Sequence, residues 1–130
     1  MYRWHTVSSF EDSVFMFKFE SLRVFHTATQ LATEIDAIRR SFPDREKYVL
    51  APQIQRAADS VALNIAEGST GQSDAEFKRF LGFSLRSGIE VVACLELARK
   101  RDLIDQNQYD KYYVLYTELI KSIQHLRKSI

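Results

Sequence analysis

Four stretches of this chain repeat their apolar residues every three or four positions, and almost nothing interrupts them. Val24, Ala28, Leu31, Ile35, Ile38 and Phe42 step by 4, 3, 4, 3 and 4. At about 3.6 residues per turn, that spacing gathers side chains on one face of an α-helix. Ile54, Ala57, Ala58, Val61 and Ile65 make a second stripe. Phe77, Phe80, Leu81, Ser84, Gly88, Val91, Val92, Leu95 and Ala98 make a third. Tyr109, Tyr112, Tyr116, Leu119, Ile123, Leu126 and Ile130 make a fourth. Only two prolines and four glycines occur in 130 residues, which favours long helices over many short strands.

Punctuation sets the expected boundaries. A first helix runs from about Glu20 to Phe42 and is stopped by Pro43. A second starts at Pro52, whose missing N–H has no partner to lose at a first helical position. Gly68 ends it, since glycine adopts the left-handed conformation that closes helices. Ser73 and Glu76 form a capping box for the third helix, and Asp105 with Gln108 a second one for the fourth. Gly88 lies within the apolar face of the third helix, where close approach of a neighbouring helix would offset its cost. The predicted fold is an all-α, antiparallel up-and-down four-helix bundle over residues 19–130, with an irregular N-terminal arm over 1–18. The stretch "MFKFESLRVF" from Met16 reads more like a domain start than Met1 does.

Composition narrows the function classes. The net charge is +1 and the pI about 7.9, without the strong basic excess of a dedicated nucleic-acid binder. A single cysteine, Cys94, forms neither an internal disulfide nor a cysteine-rich zinc site. No apolar run approaches the roughly 20 residues of a membrane span, and Glu11, Asp12 and Lys18 interrupt any signal-peptide core. A cytoplasmic protein with no membrane partner is expected.

Each candidate site also admits a plainer role. In "GSTGQS" only Ser69 and Thr70 separate the glycines and no lysine follows, so a helix–helix turn fits better than a phosphate loop. A weak anion site at the start of the third helix stays open. Arg56, Ser60, Asn64 and Glu67 step by 4, 4 and 3 along one side of the second helix. They read either as a catalytic row or as polar anchors for helix register or a subunit contact. The second is favoured because no nucleophile–base pair accompanies them. His5, His26 and His125 show no metal-ligand spacing, and Cys94 reads as a small buried apolar residue. No catalytic residue, metal or cofactor is expected. On the third helix, Arg79, Phe83, Arg86, Glu90, Cys94 and Leu97 form a second stripe off the core face. A monomeric bundle needs one apolar face per helix, so Phe83, Cys94 and Leu97 point to self-association, unless the helix is simply buried on a wide face.

The run "SFPDREKYVLAPQIQRAADSVALNIAEGSTGQSDAEFKRFL", with "FKFESLRVFHTA" before it, resembles the bacterial intervening-sequence proteins of 23S rRNA, also called the S23 ribosomal protein family. The resemblance spans about Phe17 to Ile130, and "RAADSVALNIAEG" is its most specific part. It implies an all-α bundle that assembles as a homopentamer, with no enzymatic activity attached. The family includes the accessory protein of diversity-generating retroelements, a barrel-like pentamer associated with nucleic acid and a reverse transcriptase. Three departures stand out. Ser69, Thr70, Gly71 and Gln72 replace a loop that usually carries arginine or lysine. Ser87-Gly88 reverses a Gly-Ser pair. Phe25 stands where tryptophan or tyrosine is usual.

The expectation is therefore a non-enzymatic homo-oligomer. RNA or DNA contacts fall to Arg39, Arg40, Lys78, Arg79 and Arg86. Subunit or structural contacts fall to Arg56, Ser60, Asn64, Glu67, Phe83, Glu90, Cys94 and Leu97. The alternative is an adaptor that binds a protein partner through the tyrosine-rich fourth helix and has no nucleic-acid affinity.

Overall fold

The structure, a computed structural model, describes residues 16–130; most of the expected arm, and His5 with it, lies outside the described residues. Four helices follow one another: α1 (Arg23–Arg40), α2 (Leu50–Gly68), α3 (Asp74–Lys100) and α4 (Gln106–Lys128). Short 3-10 turns precede α1 at Lys18–Ser21 and α2 at Asp44–Glu46. No strand occurs among the described residues.

The helices alternate in direction around the bundle, and cross-links at both ends show it. At one end Arg101, just past α3, donates to both carboxylate oxygens of Glu46 in the α1–α2 connection, at 3.0 and 3.2 Å. Near that end Tyr112 of α4 donates to Glu34 of α1 at 2.8 Å. At the other end Arg127 of α4 donates to the Lys78 carbonyl of α3 at 2.9 Å. All four apolar stripes converge on one core. Leu22, Ile35, Ile54, Ile65, Leu81, Leu95, Tyr116, Ile123 and Leu126 are fully buried within it. Burial of each such large apolar side chain contributes about 1.5–3 kcal/mol.

Boundaries moved for identifiable reasons. Helix α1 begins at Arg23, not Glu20, because Phe17–Leu22 close a tighter turn in which the Phe17 N–H donates to Glu20 Oε1 at 2.8 Å. It ends at Arg40, leaving Phe42 buried beyond it. Helix α2 begins two residues before Pro52, at Leu50, whose N–H is satisfied by Glu46 Oε1 at 3.3 Å. Proline is tolerated throughout a first turn, since none of those amides has an intrahelical acceptor. Gly68 is not left-handed; the only positive-φ glycine among the described residues is Gly71. The reason for Gly68 is space, because a Cβ there would lie 2.6 Å from Phe80 Cβ. Gly88 meets its expectation: a Cβ would come within 3.0 Å of Ile120 Cγ1 on α4.

Of the two capping boxes, the one at α4 is complete. Gln108 N–H donates to Asp105 Oδ1 at 2.8 Å, and Asp105 N–H to Gln108 Oε1 at 3.2 Å. At α3, Glu76 N–H donates to Ser73 Oγ at 3.1 Å, but the Glu76 carboxylate turns to Arg79 at 3.1 Å instead of reaching back.

Candidate functional site

The two predicted interface rows meet along the seam between α2 and α3. Small residues line the approach of the two helices: Ser60 and Gly68 on α2, Ser84 and Ser87 on α3. Close approach then brings polar groups into direct contact. Ser84, fully buried, donates to the Val61 carbonyl at 2.7 Å. Ser87 donates to Ser60 Oγ at 2.8 Å. The Asn64 amide donates to the same Oγ at 2.9 Å and to the Ser60 carbonyl at 2.8 Å. Further along, Gln53 donates to Glu90 at 3.2 Å. Half-buried polar groups bonded to one another in this way carry positional information, because a shifted register would leave them unsatisfied.

The ends of the α2 row behave differently from its middle. Arg56 and Glu67 are exposed and make no ion pair among the described residues. They border a shallow open groove of about 660 Å³, together with Arg39, Gln55, Asp59, Leu63 and Asn64. No nucleophile lies against a general base there, so the groove has the polarity of a contact surface and not the pairing that acyl or proton transfer needs.

On α3, Phe83 and Leu97 stand out at 36% and 45% exposed, beside exposed Arg79, Arg86 and Glu90. Cys94 leaves this outer stripe and keeps its other expected role, a small buried residue. It is 2% exposed, because it lies three residues after Val91 and four before Ala98 and so falls on the core spacing. Burial, then the nearby Glu90 charge, pushes its thiol up to about 11, which makes it a poor nucleophile at neutral pH.

The five basic candidates do not form one patch. Arg39 and Arg40 both pair with Asp36, at 2.6 and 2.7 Å, at the end of the bundle where α1 stops. Lys78 and Arg79 sit where α3 starts, at the opposite end. Helix α3 alone spans about 40 Å at 1.5 Å per residue. Arg79 also lies over the rings of Phe80 and Phe83, 5.3 Å from each centroid. Arg86 is exposed and makes no ion pair among the described residues. His26 bonds the Glu20 carbonyl at 2.7 Å. Among the described residues no group of histidine, cysteine and carboxylate side chains could hold a metal, and no helix is long and apolar enough to cross a membrane.

Sequence reasoning missed three features. Glu46 is 6% exposed and clamps Arg101 across 55 positions of sequence. Leu63, 63% exposed, stands beside Asn64 on the outer face of α2. A third is a groove of about 780 Å³ between α1 and α4, lined by Arg23, Val24, Thr27, Leu115, Glu118, Leu119, Lys121, Ser122 and His125. Of these, only Leu63 left a sequence signal, as an apolar residue off its helix's core spacing.

A four-helix bundle whose polar residues tie helices together and then face outward is defined by its surfaces. The model of the 23S rRNA-intervening sequence protein family matches residues 20–125, and the chain belongs to that family. A crystal structure from Bacteroides thetaiotaomicron, described as a protein with unknown function from the S23 ribosomal protein family, is 26% identical. It aligns over 81% of this chain and 98% of its own with a TM-score of 0.75. No curated protein matches significantly. Neither the family nor the Bacteroides protein is described by an enzymatic activity.

Proposed function

We propose that this chain is a non-enzymatic, cytoplasmic scaffold that works as a homo-oligomer, a pentameric ring, and associates with RNA or DNA through its basic residues. The observation that supports self-association most directly is the α2–α3 seam. There a bonded polar row is flanked by Phe83, Leu97 and Leu63, all left at least a third exposed. Apolar residues grouped beside satisfied polar ones are the usual composition of an interaction surface. Association with nucleic acid would follow from repetition. One subunit separates Arg39 and Arg40 from Lys78 and Arg79, whereas a ring of parallel bundles collects each set into a basic crown.

Light scattering of the purified chain tests the first part: a mass near five subunits supports it, and a monomer at every concentration overturns it. Titration with single- and double-stranded RNA and DNA at low salt tests the second. Affinity should fall with salt by about 0.7–0.9 log units per log unit for each phosphate neutralised. Absence of affinity even at low salt would leave the protein-binding adaptor, for which exposed Tyr113 and Val114 on α4 offer the docking face.

A further inference from the structure

The groove between α1 and α4 is apolar at its floor and positive at one end. Val24, Leu115 and Leu119 make the floor. Arg23, Lys121 and His125 stand on the rim, and Glu118 is the sole carboxylate among the lining residues. Because α1 and α4 run antiparallel, the first residues of α1 lie beside the last turns of α4. Arg23 and His125 are therefore at the end of the bundle, and Thr27, Leu115 and Glu118 are nearer its middle. The run from Leu115 to His125 rises about 15 Å, enough to seat a medium-length aliphatic chain with its head group.

Helix electrostatics does not account for this gathering of cations. Arg23 is the first residue of α1, where the helix dipole disfavours positive charge. No acidic residue shares that first turn. Lys121 stands before the last turn of α4, outside the stretch where the dipole favours a cation. It makes no ion pair among the described residues. Of the three, only His125 sits where the dipole welcomes positive charge. Two helices thus bring like charges to one end of an apolar trough, and an anionic group placed there would offset their repulsion.

We infer that the α1–α4 groove binds a small amphipathic anion, a carboxylate or phosphate head group on an aliphatic tail. The head group lies between Arg23, Lys121 and His125, and the tail runs over Leu119 toward Leu115. Glu118 sets that direction, since it repels a head group at the inner end. An apolar trough with a few placed polar groups is the usual form of a small-molecule site. The site uses none of Arg39, Arg40, Lys78, Arg79 and Arg86, so it stands or falls apart from the function proposed above.

Calorimetric titration of the full chain with decyl phosphate and with decanoate, each below its micelle concentration, tests the site. At least one should bind, and the tighter of the two identifies the head group. Inorganic phosphate, which lacks the tail, and decylammonium, which reverses the charge, should bind at least about tenfold more weakly. Amide shifts in nuclear magnetic resonance spectra should centre on residues 23–27 and 115–125. Lys121→Glu should weaken the tighter probe about tenfold or more. Ser122→Trp, which fills the groove from an exposed position, should abolish binding with helicity unchanged by circular dichroism. Silence with both probes, equal affinity for decylammonium or inorganic phosphate, or shifts centred elsewhere on the bundle overturns the inference. A probe that splits an assembled form of the chain into monomers, read by light scattering, also overturns it, because the occupant is then a second copy.

Discussion

The α2–α3 seam and the α1–α4 seam are built from opposite materials. Between α2 and α3, Ser60, Gly68, Ser84 and Ser87 thin the interface until side-chain hydroxyls reach across it, as Ser87 does to Ser60. Between α1 and α4, Leu115 and Leu119 face Val24 and Thr27, and the helices part into a groove after the Tyr112–Glu34 bond near one end. The tight seam joins consecutive helices, and the open one joins the first helix to the last. Small residues convert a helix pair into a bonded unit, while larger ones leave room for something else to bind.

Matched insertions probe that difference most strongly. Ser84→Leu forces bulk into the tight seam and removes the hydroxyl that bonds the Val61 carbonyl, and should cost about 3 kcal/mol. Thr27→Leu puts a similar volume into the groove and should change chemical denaturation by no more than about 0.5 kcal/mol. Equal effects would mean that the two seams are packed alike.

A smaller effect is expected at the clamp that holds one end of both seams. Glu46→Ala removes the acceptor for Arg101 and for the first amide of α2, and should lower stability by about 1–3 kcal/mol. Glu46→Gln, which keeps an acceptor, should recover part of that loss. An unchanged urea midpoint for both variants would show that the clamp is ornamental.

The smallest effect belongs to the bond that closes the open seam. Tyr112→Phe should cost about 1 kcal/mol at neutral pH. Burial, and then the Glu34 carboxylate, push the Tyr112 hydroxyl up to about 12. A raised pKa in the folded state favours the neutral phenol, so the stability it contributes is complete below pH 10, the ordinary tyrosine value, and is lost as pH rises toward 12. Denaturation midpoints between pH 9 and 11 should therefore fall less steeply in Tyr112→Phe than in the wild type. Parallel slopes would remove Tyr112 from the alkaline response. Tyr116 contributes to the same slope in both proteins, because burial also raises its hydroxyl.

The helices were legible because their signal is local. A stripe such as Val24 to Phe42 or Tyr109 to Ile130 depends only on spacing within one element, and so do the caps at Ser73 and Asp105. The family was legible for the same reason, from the run around "NIAEG". What depended on neighbouring helices was harder to read. Cys94 was placed on an outer stripe, yet it serves the core equally well by spacing, and only packing decided. Glu46 could not be paired with Arg101 before the two bundle ends were known. The basic candidates are spread along the sequence, and only the alternation of helices shows that Arg39 and Arg40 share one end and Lys78 and Arg79 the other. Asn64 reads from sequence as a polar anchor, but its partners on Ser60, and through Ser60 on Ser87, follow from how closely α2 approaches α3.

The burial of Cys94 gives the molecule a built-in clock. With one cysteine in the chain, every reaction of a thiol reagent reports the same position. That thiol is both shielded and held largely protonated, so labelling must wait for the wall around it to open. The rate at which a colorimetric disulfide reagent modifies the protein therefore measures how often the helices around Cys94 come apart. Labelling that slows as protein concentration rises would show that association holds them closed.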